Sequence, residues 1–200
     1  MACVLLAPFT HQEKIQRSDF LCFLYPVSSS EEVKEALSKH QKEYATATHN
    51  CYAYVLGENQ STRYYSDAGE PGGTAGKPIL NALLRGEMTN TLAVVTRFYG
   101  GIKLGVKGLI EAYGGVTLTA IQLAEKQAFR ELSTLELSCD YPCFELVQRY
   151  AHTHEIILGE AEYSLDVKLR LQCPTEGLEG FSQFLDGLSR QHALTYKQQP

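Results

Sequence analysis

The stretch Leu165-Asp-Val-Lys-Leu-Arg-Leu-Gln-Cys173 alternates apolar and polar residues without a break. Successive side chains on a strand point to opposite faces, so this segment reads as a β-strand with one buried and one wet face. Strands of that kind belong in antiparallel sheets. Ile156–Tyr163 reads as a strand before it, and Leu178, Phe181, Leu185 and Leu188 recur at helical spacing after it. Ala193–Tyr196 is a closing strand. Upstream, Leu135, Leu137 and Cys139 alternate, and Pro142 opens a helix that carries Phe144, Val147 and Ala151. The order βαββαβ is the ferredoxin-like pattern. The polar stretch Glu125–Arg130 reads as a junction, which gives domains at 1–128 and 129–200. The wet face, with Asp166, Lys168, Arg170 and Gln172, has neither the base-stacking aromatics nor the RNP1 string of an RRM.

In the N-terminal half, Phe20–Tyr25 and Cys51–Leu56 read as strands. Between them Val33, Ala36, Leu37, His40 and Tyr44 mark a helix behind a Ser29-x-x-Glu32 capping box. Residues 57–75 show no periodicity and read as a loop. A short helix follows, with Pro78 in its first turn and Gly86 at its end, then a strand over Thr91–Thr96. Leu109 to Leu123 forms a long helix that tolerates Gly108, Gly114 and Gly115, each costing about 0.5–1 kcal/mol against alanine. Close packing on a sheet and close approach of a ligand are both open as reasons. The whole reads as an α+β protein.

Composition, at 44% hydrophobic and 20% charged, is that of a folded globular chain. No apolar run approaches the roughly 20 residues needed to span a bilayer. Met1–Phe9 lacks a basic n-region and a small-residue cleavage site, so no signal peptide and no membrane partner are expected. The six cysteines are scattered without a C-x-x-C pair, which favours reduced thiols and a cytoplasmic protein. Net charge is −5, but it is uneven: residues 74–110 hold Lys77, Arg85, Arg97, Lys103 and Lys107 against Glu87 alone. Such a cluster steers anionic partners; a solvated basic face is its bland counterpart.

Two glycine-rich segments flank that cluster: Ser66-Asp-Ala-Gly-Glu-Pro-Gly-Gly-Thr-Ala-Gly-Lys-Pro78 and Arg97-Phe-Tyr-Gly-Gly-Ile-Lys-Leu-Gly-Val-Lys-Gly108. Each runs into a helix start, where backbone N–H groups and the dipole favour an anion. Lys77, Arg97, Lys103 and Lys107 are the expected anion contacts, with Tyr99 beside them, and Gly100, Gly101 and Gly105 would let a ligand approach the main chain. Ser66, Asp67, Glu70 and Thr74 form a secondary motif. The Walker pattern fails, because Pro71 stands at its first glycine and Pro78 follows Lys77. The dinucleotide fingerprint fails as well, and there is no Gly-x-Ser-x-Gly elbow. His49 and Cys51 share a strand face, and His152 and His154 lie at a helix end, but two ligands do not make a structural zinc site. No catalytic residue, metal or cofactor is expected, and Asp67 and Glu70 read as turn and helix caps.

These two segments, in this order, with His49-Asn-Cys-Tyr-Ala-Tyr54 and the two-domain length, resemble the signatures of the IMPACT family, whose bacterial branch is called YigZ-like. Ala68 departs from the pattern where many members have a second acid, and Asp19 where arginine is common. The resemblance implies an N-terminal domain like the second domain of ribosomal protein S5 and a C-terminal domain like a ferredoxin-fold segment of elongation factor G. It also implies translation. Eukaryotic members are linked to translational control through competition for a co-activator of a stress kinase that senses uncharged tRNA. Absence of the eukaryotic kind of added N-terminal module points to the bacterial branch.

The leading expectation is a non-catalytic protein that binds structured RNA or the ribosome, in translation regulation or stress response. One alternative is an enzyme or sensor for a small phosphorylated ligand at the glycine-rich loops, with Asp67 and Glu70 as acid and base or metal ligands and Thr74 and Lys77 on the anion. Another is a protein-interaction module with a translation-related partner.

Overall fold

The computed structural model describes residues 2–198. The chain separates into two compact units, residues 1–129 and 130–200.

In the first unit a five-stranded antiparallel sheet runs β2-β3-β6-β4-β5. Its strands are β2 (Phe9–Ile15), β3 (Ser18–Pro26), β4 (His49–Leu56), β5 (Thr62–Ser66) and β6 (Thr91–Phe98). The central strand, β6, is buried from Thr91 to Arg97. One sheet face, with Phe20, Cys22, Leu24, Ala53, Val55, Ala93 and Val95, packs on α2 (Gly76–Arg85) and α3 (Gly105–Leu123). Leu92 and Val94 on the other face pack on Val33 of α1 (Ser30–Glu43). Alternation on β6 thus serves two helical layers, which is why the strand is a near-continuous apolar run. A short ribbon of β1 (Cys3–Leu5) and β7 (Lys126–Ala128) completes the unit.

Residues 57–75 are not all loop, because Thr62–Ser66 is the edge strand β5, paired with β4 from Tyr52↔Ser66 to Leu56↔Thr62. Its side chains are largely exposed, so it leaves no burial period. The capping box also closes one residue early. Ser29 Oγ accepts from the Glu32 N–H at 3.2 Å, while the Glu32 carboxylate returns to the Ser28 N–H at 2.7 Å.

The second unit contains β8 (Leu132–Cys139), α4 (Tyr141–Thr153), β9 (Ile157–Tyr163), β10 (Val167–Pro174), α5 (Leu178–Ser189) and β11 (Leu194–Gln198). The sheet order β11-β8-β10-β9, antiparallel throughout, is the ferredoxin-like arrangement. Asp140 caps α4 by accepting from the Cys143 N–H at 2.8 Å, with Pro142 in the first turn. Val167, Leu169, Leu171 and Cys173 are buried in alternation, as their spacing predicts. Leu165 is not part of that face: it sits in the β9–β10 turn, 96% exposed.

α1 is tied to the sheet by His40, which is buried against the rings of Phe23 and Tyr44. The Thr96 hydroxyl donates to Asn50 Oδ1, so it accepts from His40 Nε2–H at 2.7 Å, and His40 Nδ1 accepts from the Tyr25 hydroxyl at 2.9 Å. This pattern requires a neutral ring, and burial holds the His40 pKa below its ordinary 6.5. The unfolded chain therefore takes up this proton first, so stability is complete above about pH 6.5 and falls as pH drops towards the lowered native pKa. Denaturant unfolding across pH should show that slope, and His40→Gln should flatten it.

Candidate functional site

The end of β6 and the loop before α2 build one polar cluster. Asp67 follows β5 and turns its carboxylate back on the glycine-rich loop. Oδ2 accepts from the Gly73 N–H at 2.8 Å, and Oδ1 accepts from the N–H groups of Ala75 and Gly76 at 3.0 and 2.8 Å. Burial alone would raise its pKa, but these backbone donors outweigh burial and hold it below the usual range. The start of α2, where an external anion was expected, is therefore occupied by a carboxylate of the protein itself. Lys77 lies exposed just beyond it.

Two residues of β4 on one face hold the same loop from below. His49 Nδ1–H donates to the Ala68 carbonyl at 3.0 Å, and Cys51 Sγ–H donates to the Asp67 carbonyl at 2.9 Å. Burial is the main cause that pushes the Cys51 thiol up to about 12, so it is not a nucleophile at neutral pH. Gly76 passes the backbone of Ser66 so closely that a Cβ would stand 2.7 Å from its carbonyl. Thr74 is buried and its hydroxyl donates to the Pro71 carbonyl at 2.6 Å.

Glu70 completes the cluster, and it is not a cap. Its side chain is 4% exposed, and Oε1 accepts from Arg97 Nη1 at 2.6 Å and from the Tyr113 hydroxyl of α3 at 2.8 Å. His49 Nε2 stands 3.9 Å from the same oxygen. Arg97 Nη2 reaches Ser18 Oγ of β3 at 3.4 Å, and its guanidinium lies 5.4 Å from the ring centres of both Phe20 and Tyr99. Burial, with Cys51 and Glu70 adding to it, holds the Tyr113 phenol far above its ordinary range, so it remains a donor. Arg97 Nε–H is a buried side-chain group without a partner among the described residues.

This corrects the expectation for Arg97. Its charge is buried and neutralised by Glu70 rather than turned towards a ligand. Gly100 is corrected too. A Cβ there would stand 1.9 Å from the Arg17 carbonyl oxygen, so the close approach is to the protein's own β2–β3 turn. Gly101 and Gly105 have open space around them and left-handed φ values of 86° and 72°. Beyond them, no side chain caps α3 and no acid stands in its first turn. Lys103 and Lys107 are exposed there, Lys107 3.8 Å from Glu111 one turn on. Tyr99, earlier in the same segment, is 44% exposed, with the Arg97 guanidinium against its ring. Ser18 as a partner of Arg97 and Tyr113 as a donor to Glu70 went unread in the sequence, where nothing marks either pairing.

Crowding separates the glycines by experiment. Gly100→Ala should cost about 1–3 kcal/mol, because backbone atoms cannot yield to the new Cβ. Gly115→Ala, on the exposed side of α3 where a Cβ meets nothing, should raise stability by about 0.5–1 kcal/mol. Urea unfolding of both variants checks the pair.

Comparison with known proteins places this cluster in context. Residues 16–121, which carry both glycine-rich segments, match the Impact N-terminal domain, and residues 137–191 match a domain of unknown function. The IMPACT family member YvyE of Bacillus subtilis is 37% identical over 182 residues, 90% of this chain and 82% of that one. YigZ of Escherichia coli is 33% identical over 186 residues, covering 92% and 91% of the two chains. A crystal structure of a hypothetical protein superposes with a TM-score of 0.69 at 32% identity, covering 98% of this chain and 95% of that one. With one domain match spanning 16–121 and relatives of this identity running nearly end to end, the chain belongs to the IMPACT family.

Proposed function

We propose that this protein is a non-catalytic binder of structured RNA or the ribosome, acting in the cytoplasm in translation control or stress response. The observation that carries the reading is the uncapped start of α3, where exposed Lys103 and Lys107 flank a first turn without acids, with exposed Tyr99 earlier in the same segment. Backbone N–H groups and lysines in this arrangement suit phosphate oxygens. Lys77 is the third proposed contact, with Gly101 and Gly105 leaving room beside the main chain. The place in translation rests on the family resemblance. Engagement of Asp67 by backbone donors, and of Glu70 by Arg97 and Tyr113, supports the non-catalytic reading over a role as acid and base or metal ligands. No helix of the described residues is long and apolar enough to cross a membrane.

A second reading, docking of a translation-related protein, is favoured by Ile102, Val106 and Ile110, which stand exposed among the same lysines.

Phosphate contacts make binding salt-dependent and insensitive to sequence. If three phosphates are neutralised, affinity for ribosomes or structured RNA should fall roughly 40-fold for about a fourfold rise in salt. The combined variant Lys77→Ala, Lys103→Ala and Lys107→Ala should lose most of that slope. Binding that ignores salt, or a variant that binds as well as the wild type, would contradict the proposal.

A further inference from the structure

The five-stranded sheet of the first unit ends in an edge without the usual protection against a further strand. β5 pairs with β4 alone among the described residues, in an unbroken register, and Thr62 to Tyr65 are all exposed. Such an edge invites another strand unless lysines, prolines, inward charges or bulges blunt it. The other edges of the two large sheets carry these devices. β2 holds Glu13 and Lys14, β11 holds Lys197, and β9 holds Glu160 and Glu162 with a break of register against β10. β5 has no proline, lysine or acid. Its one charged residue, Arg63, donates from Nε to the Gln60 carbonyl of its own chain at 2.7 Å.

The sequence of β5 is also its own complement. Two identical strands related by a two-fold axis normal to the sheet keep every side chain on its face, so the axis must pass through a residue. Centred on Tyr64, it uses all 5 residues of the strand: Thr62 meets Ser66, Arg63 meets Tyr65, and Tyr64 meets Tyr64. These are pairs of hydroxyls, of cation with ring, and of ring with ring, and no like charges stand directly opposed. The two faces are separate. Tyr64 lies opposite Tyr54 on the α1 side, stacked on Tyr52 and Tyr54 with ring centres 6.1 and 5.8 Å away, and is 51% exposed. Arg63 and Tyr65 lie opposite Val55 and Ala53 on the α2 side.

We propose that a second copy of this chain adds to the first along β5, antiparallel and two-fold about Tyr64, so that the two five-stranded sheets become one. One short strand a side makes a small interface, and the association is accordingly weak and concentration-dependent. It uses none of the residues proposed to contact RNA.

Sedimentation equilibrium of the full chain over a concentration series, without nucleic acid, should show a monomer–dimer equilibrium. Tyr64→Lys sets two lysines against each other on the axis and should weaken the dimer roughly tenfold, whereas Tyr64→Phe keeps the ring and should stay within about twofold. Thermal melts check that both variants fold. Amide exchange on the unaltered chain needs no variant: exchange within residues 62–66 should slow as concentration rises. A chain that stays monomeric up to its solubility limit overturns the proposal. So does a dimer that a folded Tyr64→Lys variant leaves as strong, or one that forms without protecting 62–66.

Discussion

The buried ion pair between Glu70 and Arg97 is the contact on which the rest of the N-terminal unit depends. Its members come from a loop and from the central strand, and Ser18 of β3 and Tyr113 of α3 join them. Isolating either charge in such an interior costs several kcal/mol, so the pair forms only when all of these segments are in place. The glycine-rich loop is the most constrained of them. Asp67 gathers its N–H groups, His49 and Cys51 hold its carbonyls, and Glu70 anchors its middle to the sheet. That loop, irregular in sequence, is thereby as determined as a helix.

The pair also divides the basic residues into two kinds. Arg97 belongs to the interior, between two aromatic rings and opposite a carboxylate. Lys77, Lys103 and Lys107 stand in solvent, and their charge acts outward. The two kinds cooperate in the proposed function, because β6 ends at Phe98 and the segment that carries Lys103 and Lys107 starts there. Anchoring Arg97 fixes where that segment leaves the sheet.

Much of the fold was legible because burial leaves a period in the sequence. β10, wet on one face, alternates visibly, and α1 announces itself through Val33, Leu37 and His40. β2 and β5 left no such trace. They are edge strands: β2 alternates in exposure but fills its half-buried positions with His11 and Glu13 as well as Phe9 and Ile15, and the tyrosines of β5 are exposed. The β2–β3 turn was hidden for another reason, since Gln16 and Arg17 adopt left-handed backbone without the Asn-Gly signal that usually marks it. The site was half legible. Its glycines and lysines stood out, but a charge count over 74–110 credits Arg97 to the surface, and its partner Glu70 lies just outside that window. Pairing across the fold is a property of three dimensions, and no local spacing encodes it.

The most direct measurement is a double-mutant cycle on the pair, with Glu70→Leu, Arg97→Met and the combined variant unfolded in urea. Each single variant leaves one buried charge alone and should lose about 3–5 kcal/mol, and the double variant should recover most of that loss. Losses that simply add would mean that the two charges do not depend on each other, and the account of the loop would be wrong.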